Sequence, residues 1–124
     1  MKVLTMTADQ KMFGESLNGS LEDLQRVVGG WVQAVPLSDT ITLWINEEGK
    51  LDGLPFNHNA TLVWEHFFGK GTDIIVGNAF FTGEADENGD SKDLSESDFF
   101  MLKRLAEGEA RKFLDDHIKI IMVN

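Results

Sequence analysis

The residues from Asp73 to Gly83, DIIVGNAFFTG, limit the folds open to this chain more than any other stretch. Alternate side chains of an extended strand point to opposite faces, and here both faces are apolar. The two apolar sets are Ile74, Val76 and Phe80 on one face, and Ile75, Ala79 and Phe81 on the other. We therefore predict a central strand that is covered on both sides, with Gly77 marking a bulge or a close approach of two backbones.

Three segments carry apolar residues at helical spacing, and each follows a residue type that caps helices. The first follows Ser20 and ends at Gly29-Gly30, the second follows Asn57 or Asn59 and ends at Gly69, and the third follows Ser95 or Ser97. Glycine is common just after a helix because it adopts a positive φ without strain. The pattern predicts three helices separated by strands.

Further strand-forming segments surround these helices. They are Met1–Thr7, Trp31–Leu37, Ile41–Ile45 with Lys50–Leu54 returning beside it as a hairpin, and Ile118–Val123. We predict a loop over Ala8–Gly19. Pro36 places its strand at an edge of the sheet or ends it, because proline lacks the amide donor. The expected fold is one α+β domain over residues 1–124, with a mixed, mainly antiparallel sheet of about five strands and three helices packed on it.

The negative charge of the chain is concentrated in one segment. The net charge is -10, and residues 84–98 contain seven acids and one lysine. Such a block is typical of a solvated acidic loop, and it also attracts basic protein partners. Direct nucleic-acid binding is not expected, because this charge repels a phosphate backbone. The candidate protein-binding residues are Glu84, Asp86, Glu87, Asp90 and Asp93.

A polar cluster interrupts the apolar sequence in LPFNHNATLVW, from Leu54 to Trp64. Asparagine is among the best helix caps, because its side-chain oxygen accepts the free amides of the first turn. We favour this interpretation, with His58 facing water. The alternative is a polar pocket wall with Trp64 as a stacking surface. The candidate ligand-binding residues under that alternative are Asn46, Asn57, His58, Asn59 and Trp64.

No motif for metal binding, cofactor binding or catalysis is complete in the sequence. Cysteine is absent, which excludes a disulfide framework, a thiolate zinc site and a cysteine nucleophile. A calcium loop starting at Asp86 would need glycine and glutamate where Ser91 and Ser97 stand. His58 and His66 lie eight residues apart without an acid at a ligand spacing. We expect no cofactor, no metal and no catalytic residue.

The segments SLEDLQRVVGGWVQAVPL, LWINEEGKLDGLPFNHNAT and DIIVGNAFFTGE together resemble an uncharacterised family, the domain of unknown function DUF3846. This family is found mainly in bacteriophages and some bacteria. The resemblance covers roughly Ser20 to Glu84. It implies a viral or mobile-element origin and a host cytoplasm, and it assigns no activity or functional residue.

These observations leave three functions open. The first is a phage accessory protein that binds a host protein without catalysis, and the second is a protein that sequesters a small molecule such as a nucleotide signal in host defence. The third is an acidic DNA mimic, which ranks lowest because the acids crowd into one segment. No membrane association is expected, since no apolar run reaches the 18 or so residues of a membrane span. A homo-oligomer formed through sheet edges is also open.

Overall fold

A computed structural model of the protein describes residues 1–85 and 90–108. In chain order, the elements are β1 (Lys2–Met6), β2 (Met12–Ser16), α1 (Leu21–Val28), β3 (Val32–Pro36), β4 (Thr42–Asn46), α2 (His58–Phe68), β5 (Ala79–Thr82) and a third helix, α3, of which residues 96–108 are described. The strand order is β2-β1-β5-β4-β3, and each of the four pairs is antiparallel. The predicted α+β class with five strands and three helices is confirmed.

The central strand is β5, between β1 and β4, and each of its four residues is buried. This confirms the prediction of a strand that is covered on both faces. The strand is shorter than predicted, however, because Gly77 has a φ of 75° that interrupts the extended chain. Before that glycine, Val76 forms an isolated antiparallel bridge with Phe56 and is not part of β5.

The two faces of the sheet form two apolar cores. One face carries Leu4, Leu43 and Phe81, which pack with residues of α2 and α3. The opposite face carries Val3 and Phe80, which pack with residues of α1. Burial of apolar side chains on both faces gives the layer order α1, sheet, then α2 with α3.

Side chains cap all three helices at their N-termini. The Ser20 hydroxyl accepts the Asp23 amide at 3.2 Å, the Asn57 side chain accepts the Ala60 amide at 3.0 Å, and the Ser95 hydroxyl accepts the Asp98 amide at 3.1 Å. Each cap satisfies an amide that has no partner inside its own helix. The predicted caps are confirmed, and the two open choices are resolved in favour of Asn57 and Ser95.

Two local predictions are wrong. The predicted loop over Ala8–Gly19 contains β2. The sequence of this segment does not favour a strand, but pairing with the outer side of β1 supplies the hydrogen bonds that stabilise one. The predicted return strand Lys50–Leu54 is a series of turns, in which the Leu54 amide donates to the Gly49 carbonyl oxygen at 3.0 Å. Local bonds therefore satisfy this backbone without a neighbouring strand.

The two edges of the described sheet are β2 and β3. Pro36 is the last residue of β3, so its predicted place on an edge strand is confirmed. The predicted strand Ile118–Val123 lies outside the described residues.

Candidate functional site

Asn57 is fully buried and uses its side chain to join three parts of the fold. Its amide nitrogen donates to the carbonyl oxygens of Met6, at 2.9 Å, and Gly77, at 2.8 Å. Its oxygen accepts the amide of Ala60. The backbone amide of Asn57 also donates to the Ile75 carbonyl oxygen at 2.8 Å. Both amide protons and the oxygen therefore have partners inside the protein, which is the architectural role that we favoured.

The other two members of the predicted polar cluster diverge from Asn57. His58 is exposed, as expected for the first turn, and its ring contacts Phe56 edge-on at a centroid distance of 6.2 Å. Asn59 is buried, and its side-chain nitrogen lies 3.5 Å from the carbonyl oxygen of Gln10. The three neighbouring residues thus point to three different surroundings and do not form one pocket wall.

A small cavity brings together only Asn46 and Trp64 of the five candidate ligand-binding residues. Its volume is about 190 Å³, and it also borders Lys50 and Asp73. The Asn46 side chain is already engaged, since it donates to the Val28 carbonyl oxygen at 3.2 Å and accepts the Glu48 amide at 2.8 Å. Small-molecule sites usually have volumes of about 300–1,000 Å³, so this cavity lies below that range.

An ion pair lines this small cavity. The Lys50 ammonium donates a hydrogen bond to the Asp73 carboxylate. That hydrogen bond holds the pKa of Asp73 below its usual value, although partial burial acts in the opposite direction. Lys50 is the cation that an anionic ligand would need at this site, and it is already paired with a carboxylate.

The acidic segment is anchored at both of its described ends. The Glu84 carboxylate accepts a hydrogen bond from the Lys92 ammonium at 2.8 Å, and the Asp93 carboxylate accepts the Lys2 backbone amide at 2.8 Å. An antiparallel bridge joins Ala85 to Ser91. The candidates Asp86 and Glu87 lie outside the described residues, whereas Asp90 is described and exposed. Lys92 therefore offsets part of the local charge, while Asp93 joins the segment to β1.

An open groove of about 590 Å³ lies between β2 and the start of α3. Leu94, Phe99 and Phe100 supply its apolar wall, and Asp93 and Glu96 supply carboxylates at its rim. A depression of about 300 Å³ adjoins it through Asp93. The groove therefore borders the acidic segment, and of the acidic candidates Asp93 is the one that lines it.

The floor of this groove depends on a glycine. A Cβ atom at Gly14 would lie 3.0 Å from the Phe99 ring, which is tighter than ordinary contact. The absent side chain lets Phe99 pack close to the strand, and Phe99 meets Phe100 edge-on at a centroid distance of 5.5 Å. Phe100 is 52% exposed, so the groove has an accessible aromatic side chain.

Sequence reasoning missed the groove. One available signal was the pair Phe99-Phe100, because two consecutive helical residues cannot both face the same core. The predicted apolar face included Phe99 and left Phe100 outside it. No comparable signal marks Gly14 or Ser16, since their segment was predicted to be a loop.

The described part of the chain contains no assembled metal site and no membrane-spanning helix. Within residues 1–85 and 90–108, no three or more histidine, aspartate or glutamate side chains are grouped so that they could hold a metal ion. None of the helices described is long and apolar enough to cross a bilayer.

Comparison with known proteins supports a single family assignment. No curated protein and no solved structure matches the chain significantly. The sequence profile of a domain of unknown function, DUF3846, matches residues 1–107. The match extends the resemblance beyond Ser20–Glu84 to include β1, β2 and nearly all of the described part of α3. Because the match covers most of the 124 residues, this protein belongs to the DUF3846 family.

Proposed function

We propose that this protein acts without catalysis, by binding another protein through the groove between β2 and α3. The observation that carries the proposal is the groove itself, which combines an apolar wall containing the exposed Phe100 with carboxylates at its rim. Protein-binding surfaces typically have an apolar, aromatic centre inside a polar rim. The groove has this arrangement on a small scale.

The charge around the groove supports a protein partner with basic residues. Asp93 and Glu96 lie at the rim, and the adjoining acidic segment adds further negative charge. Complementary charge speeds association and selects partners more than it adds affinity. The same negative charge disfavours nucleic acid as a partner, because it repels a phosphate backbone.

The wider setting of the proposal is a phage-encoded accessory protein that binds a host protein in the host cytoplasm. The family resemblance motivates this setting, because proteins of that kind are known mainly from bacteriophages and some bacteria. An acidic surface beside an apolar groove suits interference with a basic surface of a host protein. Binding alone would be sufficient for such an effect.

The proposal is tested by affinity capture from a bacterial lysate with the wild type and a groove variant. The groove variant combines Phe100→Ala with Glu96→Lys. The matched control is Leu51→Ala, which removes an 88% exposed leucine at the small cavity. We expect a partner that the wild type and the control retain, that the groove variant loses, and that dissociates as salt is raised.

Two results would contradict the proposal. One is the absence of any captured partner that dissociates when the salt concentration is raised. The other is a partner that the groove variant retains as well as the wild type does. Circular dichroism of each variant must match the wild type, so that loss of capture reports the surface and not the fold.

A second candidate function is the sequestering of a small anionic molecule at the cavity beside Trp64. The supporting observation is the presence of Lys50 and an indole ring around one cavity. The volume of about 190 Å³ and the pairing of Lys50 with Asp73 place it second. A thermal-shift screen with host nucleotides distinguishes the two functions, because only this one predicts a shift that Trp64→Ala abolishes.

A further inference from the structure

The outer side of β2 presents backbone groups that do not pair with any other strand of the described sheet. Met1 and Leu17 exchange backbone hydrogen bonds of 2.8 and 2.6 Å, and the Thr7 amide donates to the Lys11 carbonyl oxygen at 2.9 Å. Opposed residues of an antiparallel pair alternate between bonded and non-bonded positions. The alternation directs the amide and carbonyl groups of Gly14 and Ser16 away from β1, towards the outer side of β2 in the described sheet.

These outward-facing residues are also the residues of β2 that line the groove on the α3 side. Gly14 and Ser16 both border the groove, and both are exposed. In an added strand, the residue opposite Gly14 would place its side chain on the same face of the sheet. That side chain would lie above a position without a side chain, next to Phe99 and Phe100.

The other edge of the sheet lacks this continuity. Trp31 accepts the Glu47 amide at 2.8 Å and Leu37 donates to the Ile41 carbonyl oxygen at 2.9 Å, so the same alternation directs Pro36 outwards. Proline has no amide hydrogen to offer an added strand. Of the two described edges, β2 is therefore the better template for pairing.

We infer that an extended, basic segment of the partner protein adds to β2 as a further strand and places an apolar side chain over Gly14. This inference rests on the proposed function and specifies how the groove is used. Main-chain bonds to Gly14 and Ser16 provide the pairing, and the groove beside Phe100 selects the side chain. The aspartate and glutamate at the rim select lysine or arginine in the segment.

The charge argues for a basic partner segment over a second copy of this chain. On the groove side, the two acids Asp93 and Glu96 outnumber the single cation Lys2. The Glu15 carboxylate accepts the Thr5 hydroxyl, at 2.6 Å, on the opposite face of the sheet. A second copy would bring the same two rim acids and a net charge of -10 to the interface. A lysine-rich or arginine-rich strand is complementary to this rim.

The test uses a display library of random twelve-residue peptides, selected against the wild-type protein. Selected peptides are then measured against Ser16→Pro, which removes one outward amide, and Ser16→Ala, which retains it. Proline is compatible with this position because edge strands accept it where the amide faces solvent. We expect peptides enriched in lysine or arginine, which Ser16→Pro weakens at least tenfold and Ser16→Ala weakens less than threefold.

Hydrogen exchange provides a second measurement that needs no variant. The amides of Gly14 and Ser16 in the wild type are expected to exchange at least tenfold more slowly when a selected peptide is bound. The amides of β3 serve as the internal control and are expected to be unchanged. Unchanged exchange at both Gly14 and Ser16 in the bound protein would overturn the inference.

The variants separate failure of this inference from failure of the proposed function. If Phe100→Ala with Glu96→Lys abolishes peptide binding but Ser16→Pro does not, the groove binds protein without strand addition, and only the inference fails. If neither variant affects binding, both fail. Selected peptides without basic enrichment, or a wild-type dimer in light scattering that Ser16→Pro converts to a monomer, would also overturn the inference.

Discussion

The side-chain nitrogen of Asn57 lies 2.8 Å from the carbonyl oxygen of Gly77 and donates a hydrogen bond to it. The same nitrogen donates to Met6 at the end of β1, and the side-chain oxygen caps α2 through Ala60. One amide group therefore joins a strand end, a helix start and the turn before the central strand. This explains why an asparagine lies between apolar residues in this part of the sequence.

Replacing Asn57 with alanine should lower the free energy of unfolding by about 2–4 kcal/mol. The helix cap contributes about 1 kcal/mol. The carbonyl oxygens of Met6 and Gly77 lose a partner, at about 1–3 kcal/mol for a buried group left unsatisfied. Urea denaturation measures the loss. His58→Ala is the neighbouring control and should change stability by less than about 0.5 kcal/mol, since His58 is exposed.

Asn57→Asp separates the two roles of the side chain. Aspartate caps helices about as well as asparagine, but it cannot donate to the two carbonyl oxygens. We expect it to be at least as destabilising as alanine at neutral pH, because a buried carboxylate would face two carbonyl oxygens. A variant as stable as the wild type in urea would show that the donated bonds contribute little.

Gly77→Ala should be clearly more destabilising than Gly19→Ala. Both glycines have a positive φ, of 75° and 80°, so both variants place alanine in a strained backbone at about 1–2 kcal/mol. A Cβ at Gly77 would also lie 2.8 Å from the Leu54 side chain, whereas nothing lies within 4 Å of a Cβ at Gly19. The contact is with a terminal methyl of a half-buried side chain, and turning it away adds about 0.5–1.5 kcal/mol. Equal losses in thermal denaturation would refute the packing contribution.

Asp73→Asn should reduce stability at neutral pH by less than about 1 kcal/mol. The partners are partly exposed, with side-chain exposures of 39% for Asp73 and 56% for Lys50, so solvent screens the pair. The pKa of Asp73 is lowered in the folded state, mainly by the hydrogen bond from Lys50. The stabilisation is therefore complete above the unfolded pKa, near 3.9, and is lost as pH falls through the folded pKa.

The measurement for this ion pair is urea denaturation of wild type and Asp73→Asn at pH 7, 4 and 2. The difference should shrink towards zero at the lowest pH. Asp52→Asn removes the same charge from an exposed turn and serves as the control. A difference that stays constant down to pH 2 would show that it does not arise from the ionised carboxylate.

Leu102→Ala should mainly reduce stability and Phe100→Ala should mainly reduce partner binding, although both residues lie on α3. Leu102 is fully buried against the sheet, so its truncation should cost about 2–5 kcal/mol of stability. Phe100 is half exposed, and its truncation should cost at most about 1 kcal/mol while weakening partner binding. Denaturation measures the loss of stability, and affinity capture measures the loss of binding. A large loss of stability for Phe100→Ala and a small one for Leu102→Ala would contradict the assigned faces of the helix.

The sequence contained enough local information to predict the helices, their caps and the central strand. Ser20, Asn57 and Ser95 act on the first turn that follows them, so their role is readable from a few residues. The apolar alternation around Phe80 and Phe81 likewise reports burial on both faces. These features depend on neighbours in the chain.

The groove could not be predicted, because it forms only where distant segments meet. Gly14 and Phe99 are far apart in sequence, and their contact requires that β2 pair with β1 and that α3 pack on the same face of the sheet. The segment containing β2 has weak strand propensity, with a glycine and two polar residues among five. Tertiary pairing determines its conformation, and therefore the position of the groove.

The outward position of Pro36 has a consequence for polymer growth. Filaments built by head-to-tail strand addition require each subunit to offer two different edges that accept one another. In the described sheet, one of those edges lacks a donor where the next subunit would bind. Val32 and Ala34 also face outwards in β3 and keep their amides, so Pro36 removes one hydrogen bond of such a contact and disfavours an open-ended fibre.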